Sequence, residues 1–287
     1  MIRLVAADLE LVLAPELGGS VLTLRKAGID LLRPTPAGAD DVLETACFPL
    51  VPYANRIREG RFELGGRTAR LAPNLPGERH PLHGDGWRGA WRVEAQGEAS
   101  AELAFEPAAG GWPWPYRARQ RFRLDADALE ITLAVTNASD AAGPFGLGFH
   151  PYFPHAAEAW LTATTDGVWL TDAEVLPERW VPGQPLGAWA QGAPARGPAL
   201  VDHCHTGWRG PARIDLGPGR PSLRLSASPE LAWLQVYAPP DQDFFCVEPV
   251  SHAPDAVNMA DPAAHGLRWL QPGETWAVSM WLELWER

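Results

Sequence analysis

"RARQRFRLDADALEITLAVTN" occupies residues 117–137, and its spacing is strict. Phe122 and Leu124 alternate with charged residues into Asp125-Ala126-Asp127. Leu129, Ile131, Leu133 and Val135 alternate out again. Side chains on a strand point to opposite faces with period two, so this pattern predicts a half-buried antiparallel hairpin. The same period recurs at Trp276, Val278, Met280, Leu282 and Leu284. Phe62 and Leu64 lead into Gly65-Gly66, a two-residue hairpin signal. Further strands are expected at Arg3–Leu13, Val21–Leu24, Leu223–Ser226 and Leu231–Tyr237.

Helical periodicity is scarce. Short helical turns are expected only near Asp41–Thr45 and Asp255–Asn258, and Gly183–Pro198 reads as a long loop. The 29 prolines and 28 glycines are spread through the chain, as many turns between strands require. Neither a linker nor a repeat shows. The expectation is all-β, a large and mostly antiparallel sandwich in one domain over residues 1–287.

Composition narrows the function classes. The net charge of −11 argues against nucleic acid as a partner, because phosphate binding relies on a basic surface. Of 24 basic residues only Lys26 is a lysine, a compositional bias that lowers the weight of any one arginine. No apolar run approaches the ~18 residues of a membrane span, and no secretory pattern opens the chain. Cys47, Cys204 and Cys246 are an odd number without a close pair, which suits a reducing cytoplasm.

Candidate chemical groups fall in five places. They are "VPYANRIREG" with Asn55 and Arg56, "HPLHGDGW" with His80, His83 and Asp85, "GLGFHPYF" with His150, "VDHCHTGW" with Asp202, His203 and His205, and "FFCVEPVSHAPDAVN" with Glu248, His252 and Asp255. A helical His80/His83 metal pair is disfavoured by Pro81, Gly84 and Gly86. His203 and His205 would share a strand face, but no glutamate follows at cupin-like spacing, and the cysteines lack zinc spacing. No metal is expected. Nucleophile elbows, P-loops and dinucleotide fingerprints are absent, so no cofactor is expected either. Acid–base chemistry remains. Glu248 ends an apolar run, where a carboxylate is costly without a partner or a role. Singly, it reads equally as a salt-bridged strand end, and His150 and His83 read as satisfied core and turn histidines. As a set, one carboxylate, two histidines and an arginine suit proton transfer on a neutral polar substrate.

"PYANRI", "HPLHGDGW", "GFHPYF" and "CVEPVSHAPDAVN" occur in the order found in aldose 1-epimerases, the galactose mutarotase-like proteins. "LQPGETWAVSMWLEL" and "LAPELGGSVLTLRKAGIDLLRP" resemble that family's closing strand and opening hairpins. The resemblance implies a β-supersandwich and a cofactor-independent mutarotase that opens and recloses an aldose ring. It implies Glu248 as general base, His150 as general acid, and His83 with Arg56 holding the ring and C1 oxygens. Asp202 would receive sugar hydroxyls and Asn55 would support Arg56. Trp87, Tyr152 or Trp208 could pack on the sugar face, though core packing is the default for any one of 14 tryptophans. The implied partner is a monosaccharide, and the protein would be a monomer or homodimer. "HGDGWRGAW" departs from the His-Gly-Gly continuation common among galactose-type members. An acidic sugar contacted by Arg58, Arg61, Arg79 or Arg88 is therefore an alternative, as is a non-catalytic sugar-binding protein on the same fold.

Overall fold

The computed structural model describes residues 1–64, 66–108 and 111–285. The hairpin that opened the sequence argument forms as Tyr116–Leu124 paired antiparallel with Ala128–Asn137, in register from Tyr116–Asn137 to Leu124–Leu129. Burial alternates residue by residue along both strands, and Arg117, Arg119, Arg121 and Arg123 all face solvent. Thr275–Trp285 pairs on the far side of the second strand, bringing Trp276, Val278, Met280 and Leu282 into the same buried layer. Each such buried side chain contributes roughly 1.5–3 kcal/mol.

These three strands sit inside a nine-stranded sheet. An eleven-stranded sheet packs against it, and one contiguous apolar cluster draws residues from both. Gln120 reaches across, its Nε2 donating to the Gly19 carbonyl at 3.0 Å. Along the centre of the larger sheet run, in spatial order, Cys47–Leu50, Gly148–Pro154, Phe244–Val250, Trp233–Ala238 and Val201–Thr206. Among the described residues no helix is long and apolar enough to cross a membrane.

Three local expectations change. The first strand is two, Ile2–Ala6 and Leu9–Ala14, folded about Ala7, whose φ of +53° makes the turn without a glycine. Gly183–Pro198 contains a 3₁₀ turn at Trp189–Gln191 and a short strand at Ala193–Pro194, ordered by burial of Trp189. The strand expected from Leu231 begins at Trp233. Both short helical turns form, as 3₁₀ segments Val42–Glu44 and Ala256–Asn258. The hairpin after Phe62 pairs Arg61–Leu64 with Arg67–Arg70; Gly65 lies outside the described residues.

Candidate active site

The register of the five central strands builds the site floor. Asp202 pairs with Tyr237, Cys204 with Gln235, Gln235 with Glu248, Tyr237 with Cys246, and Cys246 with Tyr152. All of these, with His150, fall on one face by strand alternation. The intervening Phe149, Phe153, Leu234, Val236, Phe245 and Val247 are buried in the core on the other face. Above the floor lies a cavity of about 430 Å3, within the range of small-molecule sites. Its walls include Asn55, Arg56, Glu78, His83, His150, Tyr152, Asp202, Gln235, Tyr237 and Glu248.

Glu248 and His150 touch: Nε2 of the imidazole is 3.3 Å from the Glu248 carboxylate. Both are buried. Burial, reinforced by Asp202 and opposed by Arg56, pushes the Glu248 carboxyl well above its ordinary range. Burial, with Arg33 in the same direction, pushes His150 down to about 3. Each group is thus driven toward its neutral form, and one shared proton satisfies both. The His150 ring is held in a stack, with Phe48 at 4.5 Å and Tyr152 at 4.7 Å between centroids. The Arg33 guanidinium caps the far face of Tyr152 at 3.7 Å.

Loops raise the walls. "HPLHGDGW" turns through two consecutive left-handed residues, His83 at φ +60° and Gly84 at φ +71°. A Cβ on Gly84 would lie 2.3 Å from the Pro52 ring, so this loop needs glycine there. The loop is laced to the Asn55 turn. His83 N–H donates to the Asn55 carbonyl, and Asn55 N–H donates to His83 Nδ1, both at 3.0 Å. Because Nδ1 accepts, the neutral ring carries its proton on Nε2, leaving that nitrogen as the donor available to the cavity. Burial foremost, then His150, Arg56 and His252, holds His83 well below its usual pKa and so neutral. Asn55 Oδ1 in turn accepts from Arg56 N–H at 2.8 Å.

Arg56 is flanked by two carboxylates. Its Nε and Nη2 donate to Glu78 at 3.3 Å each, and its Nη1 lies 3.7 Å from Asp202. Burial raises Asp202 to about 6, against Arg56 and Gln235. Gln235 Nε2 donates to Asp202 at 2.6 Å, while its buried Oε1 has no protein partner.

Eight site residues were expected; seven line this cavity together: Glu248, His150, His83, Arg56, Asn55, Asp202 and Tyr152. Trp87 does not. It is 1% exposed beneath the loop, tilted against Phe48, with Nε1 donating to the Leu82 and Gly84 carbonyls. Trp208 is likewise buried and lies away from the cavity. His80 accepts from Glu59 N–H at 2.9 Å, supporting the loop from outside. His203 and His205 lie on the opposite strand face from Asp202; His205 is buried against Trp189. His252 and Asp255 are structural, bonded to Ala54 N–H and Arg58 N–H respectively. Gln235 and Glu78 were not anticipated. Gln235 sits two residues from the end of an apolar strand, and only the register with Glu248 reveals it.

Among the described residues, His150, Cys246 and Glu248 place one possible metal-ligand atom each within 4.8 Å of one another. Burial foremost holds the Cys246 thiol well above its usual pKa, so it keeps its proton, which makes this a poor ligand set.

The profile of the aldose 1-epimerase family matches residues 1–283. The chain belongs to the aldose 1-epimerase family. It is 34% identical over 253 residues to the uncharacterized protein YphB of Escherichia coli (strain K12), covering 84% of each chain. It is 25% identical over 218 residues to the uncharacterized protein YihR of the same strain, covering 73% of this chain and 70% of that one. The fold superposes on the crystal structure of an aldose 1-epimerase candidate from Escherichia coli K12 with a TM-score of 0.91. That pair shares 34% identity over 99% of this chain and 98% of the other. A galactose mutarotase-like protein from Clostridium acetobutylicum, at 20% identity, has the same fold, with a TM-score of 0.87 over 99% of this chain and 95% of that one. The antiparallel two-sheet architecture expected from the period-two pattern is therefore that of galactose mutarotase-like proteins.

Proposed function

We propose that this aldose 1-epimerase family member interconverts the α and β anomers of a monosaccharide by acid–base ring opening. The carrying observation is the buried Glu248–His150 contact in a cavity of monosaccharide size. A cyclic aldose is a hemiacetal, with the C1 hydroxyl and the ring oxygen on one carbon. With the shared proton placed on His150, Glu248 is ionised and takes the hydroxyl proton while His150 delivers its proton to the ring oxygen. The C1–O5 bond breaks and its electrons remain on the ring oxygen, leaving an open-chain aldehyde. Rotation about C1–C2 presents the other carbonyl face, and reclosure with the roles reversed gives the other anomer. One proton leaves and one arrives, so the pair ends with the proton count it began with. His83 Nε2 and Arg56 donate to the oxygens on which charge develops, and such donors act strongly in a dry site. Asp202 and Gln235 Oε1 accept hydrogen bonds from other sugar hydroxyls. A base and an acid each contribute on the order of 10²–10⁴ in rate.

The test is anomer exchange followed by NMR across neutral hexoses, pentoses, 6-phosphates and 6-sulfonates. At least one sugar should exchange faster than in buffer alone. Binding without acceleration of any sugar would instead favour a sugar-binding protein.

A further inference from the structure

Arg56 is the only arginine or lysine that lines the cavity among the described residues, against the acidic side chains Glu78, Asp202 and Glu248. Of the four arginines named for an anionic sugar, Arg61 is exposed and does not line the cavity, and the other three are otherwise engaged. Arg58 faces Asp172 and Asp255, at 3.5 and 3.7 Å. Arg79 bridges Glu59 and Glu174. Arg88 donates to the Asn74 carbonyl, and Arg33 to the Leu43 and Thr45 carbonyls behind Tyr152.

Arg56 itself could still grip a carboxylate or phosphate through its Nε–Nη2 edge, the geometry that guanidinium offers to planar anions. Glu78 occupies that edge with both of its oxygens. It is held there by its own loop. Asn74 exchanges hydrogen bonds with Leu82, donating to the Leu82 carbonyl and accepting from Leu82 N–H, both at 2.7 Å. It also donates to the Gly84 carbonyl at 3.0 Å, which ties the Glu78 loop to the His83 loop. Glu78 N–H closes a turn on the Leu75 carbonyl, with Gly77 at φ +83°. The neighbours Arg79 and His80 are tethered on the outer side.

We infer that Glu78 is a specificity-determining residue: it fills the guanidinium edge of Arg56 and restricts the cavity to uncharged aldoses. This rests on the cavity being the sugar site proposed above. An anionic sugar would have to displace Glu78 from Arg56 or sit beside an unneutralised carboxylate, and neither cost falls on a neutral sugar. The discrimination is thus a built-in repulsion, added to whatever attraction the hydroxyls supply.

Calorimetric titration tests this without depending on turnover. The probes are galactose against galacturonate and glucose against glucose 6-phosphate, with wild type, Glu78→Gln and Glu78→Ala. Wild type should bind the neutral member of each pair more tightly. Glu78→Gln keeps the side-chain shape and one acceptor for Arg56, and should move the ratio of dissociation constants toward the anion by roughly tenfold at low salt, less at high salt. Glu78→Ala should move it in the same direction. Neutral binding with an unmoved ratio in both variants overturns the inference alone. So does a wild type that prefers the anion. A wild type that binds neither member overturns the sugar-site reading and the inference with it.

Discussion

Glu248→Gln is the most informative substitution in this protein, because it bears on rate and stability with opposite signs. The amide keeps the shape of the carboxyl group and cannot take a proton from a hydroxyl. Arg56, Asp202, Gln235 and His83 are untouched, so sugar affinity should stay within a fewfold of wild type. Catalysed mutarotation should fall by roughly 10²–10⁴, the contribution of a positioned base. Stability should move the other way. Burial raises the Glu248 pKa above its unfolded value, which lies near ~4.3. The native state therefore holds a proton that the unfolded chain gives up. The contribution of Glu248 is fully present below the unfolded pKa and is lost as pH rises through the folded pKa. Each unit of elevation amounts to about 1.4 kcal/mol. Glutamine does not titrate, so between pH 4 and pH 8 the variant should gain on wild type by that amount for each unit over which the native state alone holds the proton. Polarimetry of a freshly dissolved α-anomer, corrected for the buffer rate, reads the first effect. Urea melts at the two pH values read the second. An unchanged rate would refute Glu248 as the base. A stability difference that does not vary with pH would refute the raised pKa.

Three further outcomes are expected. His150→Asn should lower mutarotation by a similar ~10²–10⁴ while leaving sugar binding measurable by titration; wild-type turnover would remove His150 as the acid. The pH profile of kcat/KM should be a plateau bounded by two limbs, because activity needs one proton on the Glu248–His150 pair. A second proton enters only in strong acid, since burial holds His150 down to about 3, and the shared proton leaves only above the ordinary carboxylate range. A profile with a single limb near pH 6.5, that of an exposed histidine, would contradict this. Gly84→Ala should destabilise the fold by roughly 2–4 kcal/mol in urea melts, combining the left-handed backbone with overpacking against Pro52 and the Val51 carbonyl.

The strands were legible wherever alternation met solvent on one side, as at Phe122–Val135, because one face was charged. The break at Ala7 was not, since nothing in "VAADLE" marks a left-handed turn. The charged and histidine members of the site were visible because such groups are costly in apolar runs. Trp87 was not placeable, because an aromatic beside a glycine loop can face a ligand or the core. The structure puts it under the loop, where its N–H finds two carbonyls. Glu78 looked like an ordinary surface charge in "PGERH"; its meaning comes from Arg56, 22 residues away.

The alternation along Phe244–Val250 has a practical corollary. Val247 belongs to the core and Glu248 to the cavity, one residue apart. Sliding that strand by a single position would bury the carboxylate among phenylalanines and leave a valine beside His150. Specific activity is therefore a proofreader of assembly. A preparation in which this strand has annealed out of step should be inert in proportion, even where circular dichroism reports a full complement of sheet.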